Sequence, residues 1–274
     1  MYLVEIYPSL RRWKTALGDF LDTLAGAARE TINDGYYRVE PERRISPLSL
    51  RQRILQHTGN SVISEIKPAS PSLGDIRSDV DPSETACMME AGGAAGISVL
   101  TEPTRFKGSL ENLTQARKAV TIPVLMKDFI LCREQVKAAF NIGADAILLI
   151  QALFDRDYCD TSVEEIIVQS HIHGLEVLLE VHSIEEFEKA VKTDADLIGI
   201  NNRNLKTLTI DTGVTQKILD SCKVYDKTVI SESGIKTYDD LRHLRDLGVQ
   251  GYLIGSSIMQ SEDIENAVRG FVQA

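Results

Sequence analysis

The stretch VISEIKPASPSLG, Val62 to Gly74, decides the fold. It begins as a short apolar run and ends with charge. Glu65 and Lys67 sit two apart, so in a strand both point to one face. Pro68, Pro71 and Gly74 then break the chain. A strand flanked by helices is buried on both faces, and charge within it is costly. A carboxylate beside an ammonium at its end therefore asks for a chemical reason.

The same pattern recurs seven more times. The runs are GISVLTE from Gly96, PVLMKDF from Pro123, AILLIQA from Ala146, EVLLEVH from Glu176, LIGINNR from Leu197, TVISESG from Thr228 and GYLIGSS from Gly251. Stretches rich in Glu, Lys and Ala separate them, and the starts lie roughly 21 to 34 residues apart, one βα unit each. Eight successive units predict a closed (β/α)8 TIM barrel rather than an open doubly wound sheet. No GxGxxG follows the first strand, which counts against a dinucleotide fold. The reading divides the chain into an N-terminal helical extension over 1–58, packed on a barrel over 59–274. Within the extension Leu10 to Thr31 and Ser46 to Gln56 look helical, with Asn33 to Ile45 as a connecting loop.

Composition narrows the function. With 274 residues, 43% of them hydrophobic, the chain can bury a large core. A net charge of -10 argues against nucleic acid as a partner, while leaving room for one local anion pocket. Cys87, Cys132, Cys159 and Cys222 are widely spaced and form no CxxC, which predicts reduced thiols and a cytoplasmic location. The start MYLVEIYPSLRRW has no long apolar core, so no signal peptide is expected, and no apolar run approaches ~20 residues, so no membrane span is expected. His171 and His173 form HIH, but their position before Gly174, in the loop or helix end leading to strand five, predicts solvent exposure rather than a metal site.

Polar residues gather at the C-terminal ends of the runs: Glu65 and Lys67, Glu102, Lys127 and Asp128, Glu180 and His182, Asn201 to Arg203, and Ser231 to Ser233. Barrel active sites are assembled at that rim. Asp128 reads as a structural partner at a strand end, His182 as a packing or hydrogen-bonding residue, and Glu102 as either kind. SIEEFEKA, Ser183 to Ala190, needs only to start a helix. SESGI and IGSSIM, after strands seven and eight, offer small residues and exposed amides suited to a phosphate.

SEIKPASPSLG, ISVLTEPTRFKGS, PVLMKDFI, GADAILLIQALF, LLEVHSIEEFEKA, LIGINNRNLKTL, SESGIKTYDDL and LIGSSIM together resemble the indole-3-glycerol phosphate synthases of tryptophan biosynthesis. The resemblance spans Ser61 to about Met259, in the family's order and spacing. It implies a carboxy-lyase that converts 1-(2-carboxyphenylamino)-1-deoxyribulose 5-phosphate to indole-3-glycerol phosphate, carbon dioxide and water, with no metal or organic cofactor. It leaves room for association with other enzymes of the same pathway. Because the chain ends at Ala274 soon after the eighth unit, no C-terminal fusion is expected.

By resemblance, Lys127 corresponds to the general acid for ring closure. Glu180 and Glu65 correspond to catalytic carboxylates. Lys67 corresponds to a lysine touching the substrate's anionic groups and a candidate acid for dehydration. Asn201 and Arg203 correspond to orienting residues, Glu232 to a supporting carboxylate and Ser233 to a substrate contact. Phe106 and Leu205 match residues that hold the anthranilate ring; Ser70, Gly234, Gly255 and Ser256 match the phosphate cradle. The division of acid and base duties among Glu65, Lys67 and Glu180 stays open. Lysines with a lowered pKa, from desolvation or nearby cations, are expected for the acid steps.

Two departures stand out. Pro68 replaces a basic residue usual in the family, and Arg105 stands where an aromatic one is frequent. Ile45 to Ile54 is expected to be the part of the extension that covers the site. Two other readings remain: a barrel aldolase using Lys127 as a Schiff-base lysine, and a binding protein that kept the barrel without turnover.

Overall fold

The computed structural model describes residues 18–43, 45–71, 73–77 and 81–274. Each of the eight runs forms a strand: β1 Ser61–Ile66, β2 Gly96–Leu100, β3 Val124–Lys127, β4 Ala146–Ile150, β5 Glu176–Val181, β6 Leu197–Asn201, β7 Thr228–Glu232 and β8 Gly251–Ile254. They close in sequence order into one barrel, every neighbouring pair parallel, with β1 joined to both β2 and β8. Nearly every strand residue is buried, as expected for strands covered by helices outside and packed side chains within. Helices follow the strands in turn, and several start on a side-chain cap such as Asp81, Ser109, Ser162, Ser183 and Thr237.

The chain before β1 uses both ends of this barrel. Helix α1, Phe20–Asn33, starts at a capping box between Asp19 and Asp22 and buries Leu21, Leu24, Ala25, Ala28 and Ile32. It lies at the rim where the strands end. The Phe20 amide donates to Lys206 O in the loop after β6, Tyr36 Oη donates to Thr101 O after β2, and Tyr37 Oη donates to Asp128 after β3. Further along the chain the Leu48 amide meets Asp145 just before β4, at the other end of the barrel. Helix α2, Leu50–Gln56, is one turn shorter than read from sequence, with Ser49 as its N-cap.

Helix α2 plugs the opposite end from the charged rim. Leu50 is wholly buried against Gly96, the first residue of β2, and Ile54 lies beside Gly251, the first residue of β8. The Arg51 amide donates to Glu176 at the start of β5, and Ser49 Oγ makes a second bond to the same carboxylate. The expectation that Ile45 to Ile54 covers the site is thus corrected: Leu50 and Ile54 are consumed by the floor of the barrel, Ile45 is exposed, and no residue of the segment lines the cavity at the rim. Of the other early helical stretch, Leu10 to Thr31, the part from Leu10 to Leu17 lies outside the described residues, and α1 accounts for most of the rest.

Candidate active site

Glu65 of β1, Lys127 at the end of β3, Glu180 of β5, Asn201 at the end of β6 and Glu232 at the end of β7 all belong to the C-terminal rim. The register makes this inevitable: Glu180 pairs with Gly199, and Asn201 pairs with Glu232. Side chains two apart on adjacent strands then face the same interior. Lys127 Nζ lies 3.3 Å from Glu180 Oε2 and 3.2 Å from Glu232 Oε2. Asn201 Nδ2 donates to the other oxygen of Glu180 at 2.9 Å, and Asn201 Oδ1 accepts the Arg203 amide at 2.9 Å. Across the rim Lys67 Nζ donates to Glu65 Oε1 at 2.6 Å.

These groups form the floor of a cavity of about 760 Å³. All the site residues named from sequence line it, from Glu65, Lys67 and Ser70 on β1 and its loop to Gly255 and Ser256 after β8. One wall is apolar. Phe106 stacks near Phe129 at 5.9 Å between centroids, and Leu205 closes the wall from the loop after β6. The opposite wall is made of Ser70, Ser233, Gly234, Gly255 and Ser256. Gly234 has φ +85°, and a Cβ there would meet Ile210 at 2.8 Å, so only glycine fits this turn. Ser233 is itself left-handed at φ +66°, with its carbonyl held by Asn202 Nδ2 at 3.0 Å. Ser257 Oγ donates to Ile235 O at 2.7 Å and ties the loops after β7 and β8 together.

The electrostatics correct one expectation. Burial alone would push Lys127 down, but Glu232, Glu180 and Glu65 outweigh it and raise its pKa well above the ordinary lysine value. Lys127 is therefore held as an ammonium rather than poised near neutrality. Burial pushes Glu232 above the carboxylate range, against the pull of Lys127. Burial also opposes ionisation of Glu65, yet Lys67, Lys127 and Arg203 prevail and hold it below its usual value.

Sequence reasoning missed part of the lining. Phe20 and Leu24 of α1 close the apolar side, and Phe129, Leu148, Leu208 and Lys236 also face the cavity. The hydrophobic spacing of α1 signalled a buried face but not what that face covers.

Other charged residues act as supports. Glu102 accepts the amides of Thr104, Arg105 and Phe106, and so shapes the loop carrying Phe106. Asp128 accepts Tyr37 Oη at 2.9 Å, Thr101 Oγ1 at 2.5 Å and the Phe129 amide at 2.8 Å. His182 Nδ1 lies 2.7 Å from Asn201 O. His171 pairs with Asp196, while His173 packs on Phe140. No metal-ligating cluster occurs among the described residues. Pro68 O accepts the amides of Ile76 and Arg77 and closes the hairpin after β1, whereas Arg105 is exposed outside the cavity lining.

A parallel barrel with an acid–base cluster, an apolar wall and a small-residue wall at its C-terminal rim defines a barrel enzyme of the acid–base class. Residues 27–271 match the family model for indole-3-glycerol phosphate synthase, and the chain belongs to that family. It is 44% identical to the indole-3-glycerol phosphate synthase of Exiguobacterium sibiricum, over 92% of this chain and 97% of that one. The enzymes of the same name from Desulfotalea psychrophila and Carboxydothermus hydrogenoformans are 41% and 39% identical, each over 89% of this chain and at least 95% of theirs. Among solved structures, a thiamine phosphate pyrophosphorylase from Pyrococcus furiosus superposes with TM-score 0.59 at 21% identity, covering 81% of this chain and 96% of that one, a likeness of fold alone.

Proposed function

We propose that the chain catalyses the synthase reaction, closing the indole ring of 1-(2-carboxyphenylamino)-1-deoxyribulose 5-phosphate with loss of carbon dioxide and water. The anthranilate ring lies against Phe106, Phe129 and Leu205, under Phe20 and Leu24. The phosphate meets Ser70, Ser233, Gly234, Gly255 and Ser256, whose hydroxyls and amides are donors suited to an anion.

As the ring carbon attacks the ribulose carbonyl, the oxygen becomes alkoxide-like and more basic than an ammonium. Lys127 then gives it a proton, and a raised pKa does not forbid this because the acceptor's basicity rises during the step. Carbon dioxide departs and leaves the bonding electrons in the ring system. Lys67 protonates the leaving hydroxyl. A carboxylate accepts the last proton, and Glu65 suits this better than Glu180. Both oxygens of Glu180 are engaged, by Lys127 and Asn201, while Glu65 Oε2 has no hydrogen-bond partner among the described residues. Asn201 and Arg203 orient the substrate.

The observation that carries the reading is the Lys127 ammonium, clasped by Glu180 and Glu232 on the floor of a half-apolar cavity. Lys127→Ala is expected to lower kcat at least ~100-fold with the fold intact by circular dichroism. Near-normal turnover would remove Lys127 from the acid role. The aldolase reading needs a neutral amine, and three carboxylates around Lys127 oppose that; borohydride trapping with a sugar phosphate is expected to leave the enzyme unlabelled. The four cysteines are free, which supports a reducing compartment such as the cytoplasm. Among the described residues no helix is long and apolar enough to cross a membrane.

A further inference from the structure

Glu65 and Glu232 share a feature that the reaction scheme leaves unexplained. Each buries one carboxylate oxygen, Oε2 and Oε1 respectively, without a hydrogen-bond partner among the described residues. Each also leans into a gap left by a glycine. A Cβ on Gly199 would stand 2.1 Å from Glu232 Oε1, and one on Gly255 would stand 2.5 Å from Glu65 Oε1 and 3.0 Å from Lys67 Nζ. Neither glycine is required by a left-handed backbone. The positive-φ glycines are others, Gly199 lies within β6, and Gly255 has φ -115°. What the two positions share is a carboxylate oxygen in the space that a Cβ would fill.

The placement of Gly199 is specific. It pairs with Glu180 on β5, and two residues later Asn201 pairs with Glu232 on β7. It therefore sits on the strand between the two carboxylates that clasp Lys127. We propose that Gly199 is a positioning residue for proton donation, its missing Cβ forming the berth that lets Glu232 reach Lys127 beside Glu180. Gly255 has the same relation to the Glu65–Lys67 pair. Its lack of a side chain thus serves that pair as well as the phosphate wall. This inference rests on Lys127 being the proton donor only for its kinetic half; the steric half stands apart from it.

The test is a cycle of Gly199→Ala, Glu232→Ala and the double variant, followed in both stability and kinetics. A methyl group that only collides with Glu232 destabilises the parent and costs little when Glu232 is truncated, because the methyl enters the vacated space. Gly199→Ala is expected to lower kcat roughly 10-fold or more, with little further loss when added to Glu232→Ala. With one carboxylate displaced from Lys127, its proton is held less tightly, so the alkaline limb of the kcat profile moves to lower pH.

Glu232→Asp withdraws the carboxylate without touching Gly199 and gives the same limb shift should Gly199→Ala fold poorly. Equal destabilisation by Gly199→Ala in both backgrounds would overturn the berth. A cycle that couples in stability while kcat and the alkaline limb stay unchanged would overturn the kinetic role of Gly199 alone; Lys127 as donor stands or falls separately, on Lys127→Ala.

Discussion

Lys127 shows how one residue type can be legible in sequence while its electrostatic state is not. The motif LMKDF gave its place at a strand end, but the sign of its pKa shift depends on how many carboxylates other strands bring to it. Glu180 and Glu232 arrive from 53 and 105 residues away, and their combined field outweighs burial. Asp128, its neighbour, is the opposite case. Burial raises Asp128 from the usual 3.8 to about 6, although Thr101, Phe129 and Tyr37 each donate to it. The folded state therefore binds this proton more tightly than the unfolded chain. The stability that Asp128 contributes is full below about pH 4, declines as pH rises toward about 6, and is flat above. Thermal melts of Asp128→Asn and the parent between pH 4 and 7 are expected to converge or cross in the variant's favour as pH rises through that window. A constant offset between the two would show that Asp128 keeps an ordinary pKa.

At the scale of elements, the barrel strands were readable and the extension only half so. Each strand announces itself as a local run of Val, Ile and Leu, and burial on both faces forces that composition. The loops after β7 and β8 were readable as part of the rim because they follow barrel strands at their C-terminal ends, and Ser233, Gly234, Gly255 and Ser256 do line the cavity. What the helices α1 and α2 cover was not readable, since an apolar stripe specifies burial without naming the surface that buries it. Tyr37 reaching Asp128 and Leu50 reaching Gly96 are contacts across long stretches of chain, fixed by the closed barrel rather than by any local pattern. The two helices should separate cleanly in experiment. Leu50→Ala opens a cavity at the barrel floor and is expected to cost about 2–5 kcal/mol in chemical denaturation, with KM of the folded enzyme unchanged. Phe20→Ala removes part of the apolar wall and is expected to raise KM roughly 3- to 10-fold with little loss of stability. A KM effect from Leu50→Ala would restore α2 as a cover of the site.

At the scale of the molecule, one barrel divides its labour between two ends. The N-terminal floor is sealed by α2 and anchored by Asp145, which is fully buried and accepts from Arg117 at 2.5 Å and from the Leu48 amide at 3.0 Å. The C-terminal rim gathers the carboxylates and lysines that folding alone would not favour, and α1 roofs its apolar side. A net charge of -10 is compatible with the anion site proposed at this rim because the cations Lys67, Lys127, Arg203 and Lys236 converge on one cavity. In the mechanism proposed above, this rim closes an indole ring by acid–base chemistry of the side chains alone. It is tested most directly by continuous fluorescence of the purified protein with 1-(2-carboxyphenylamino)-1-deoxyribulose 5-phosphate in the presence of EDTA. Growth of indole fluorescence at a rate that EDTA does not change is the expected result; a folded protein that binds this substrate and yields no indole signal, or yields it only without EDTA, would rule this chemistry out.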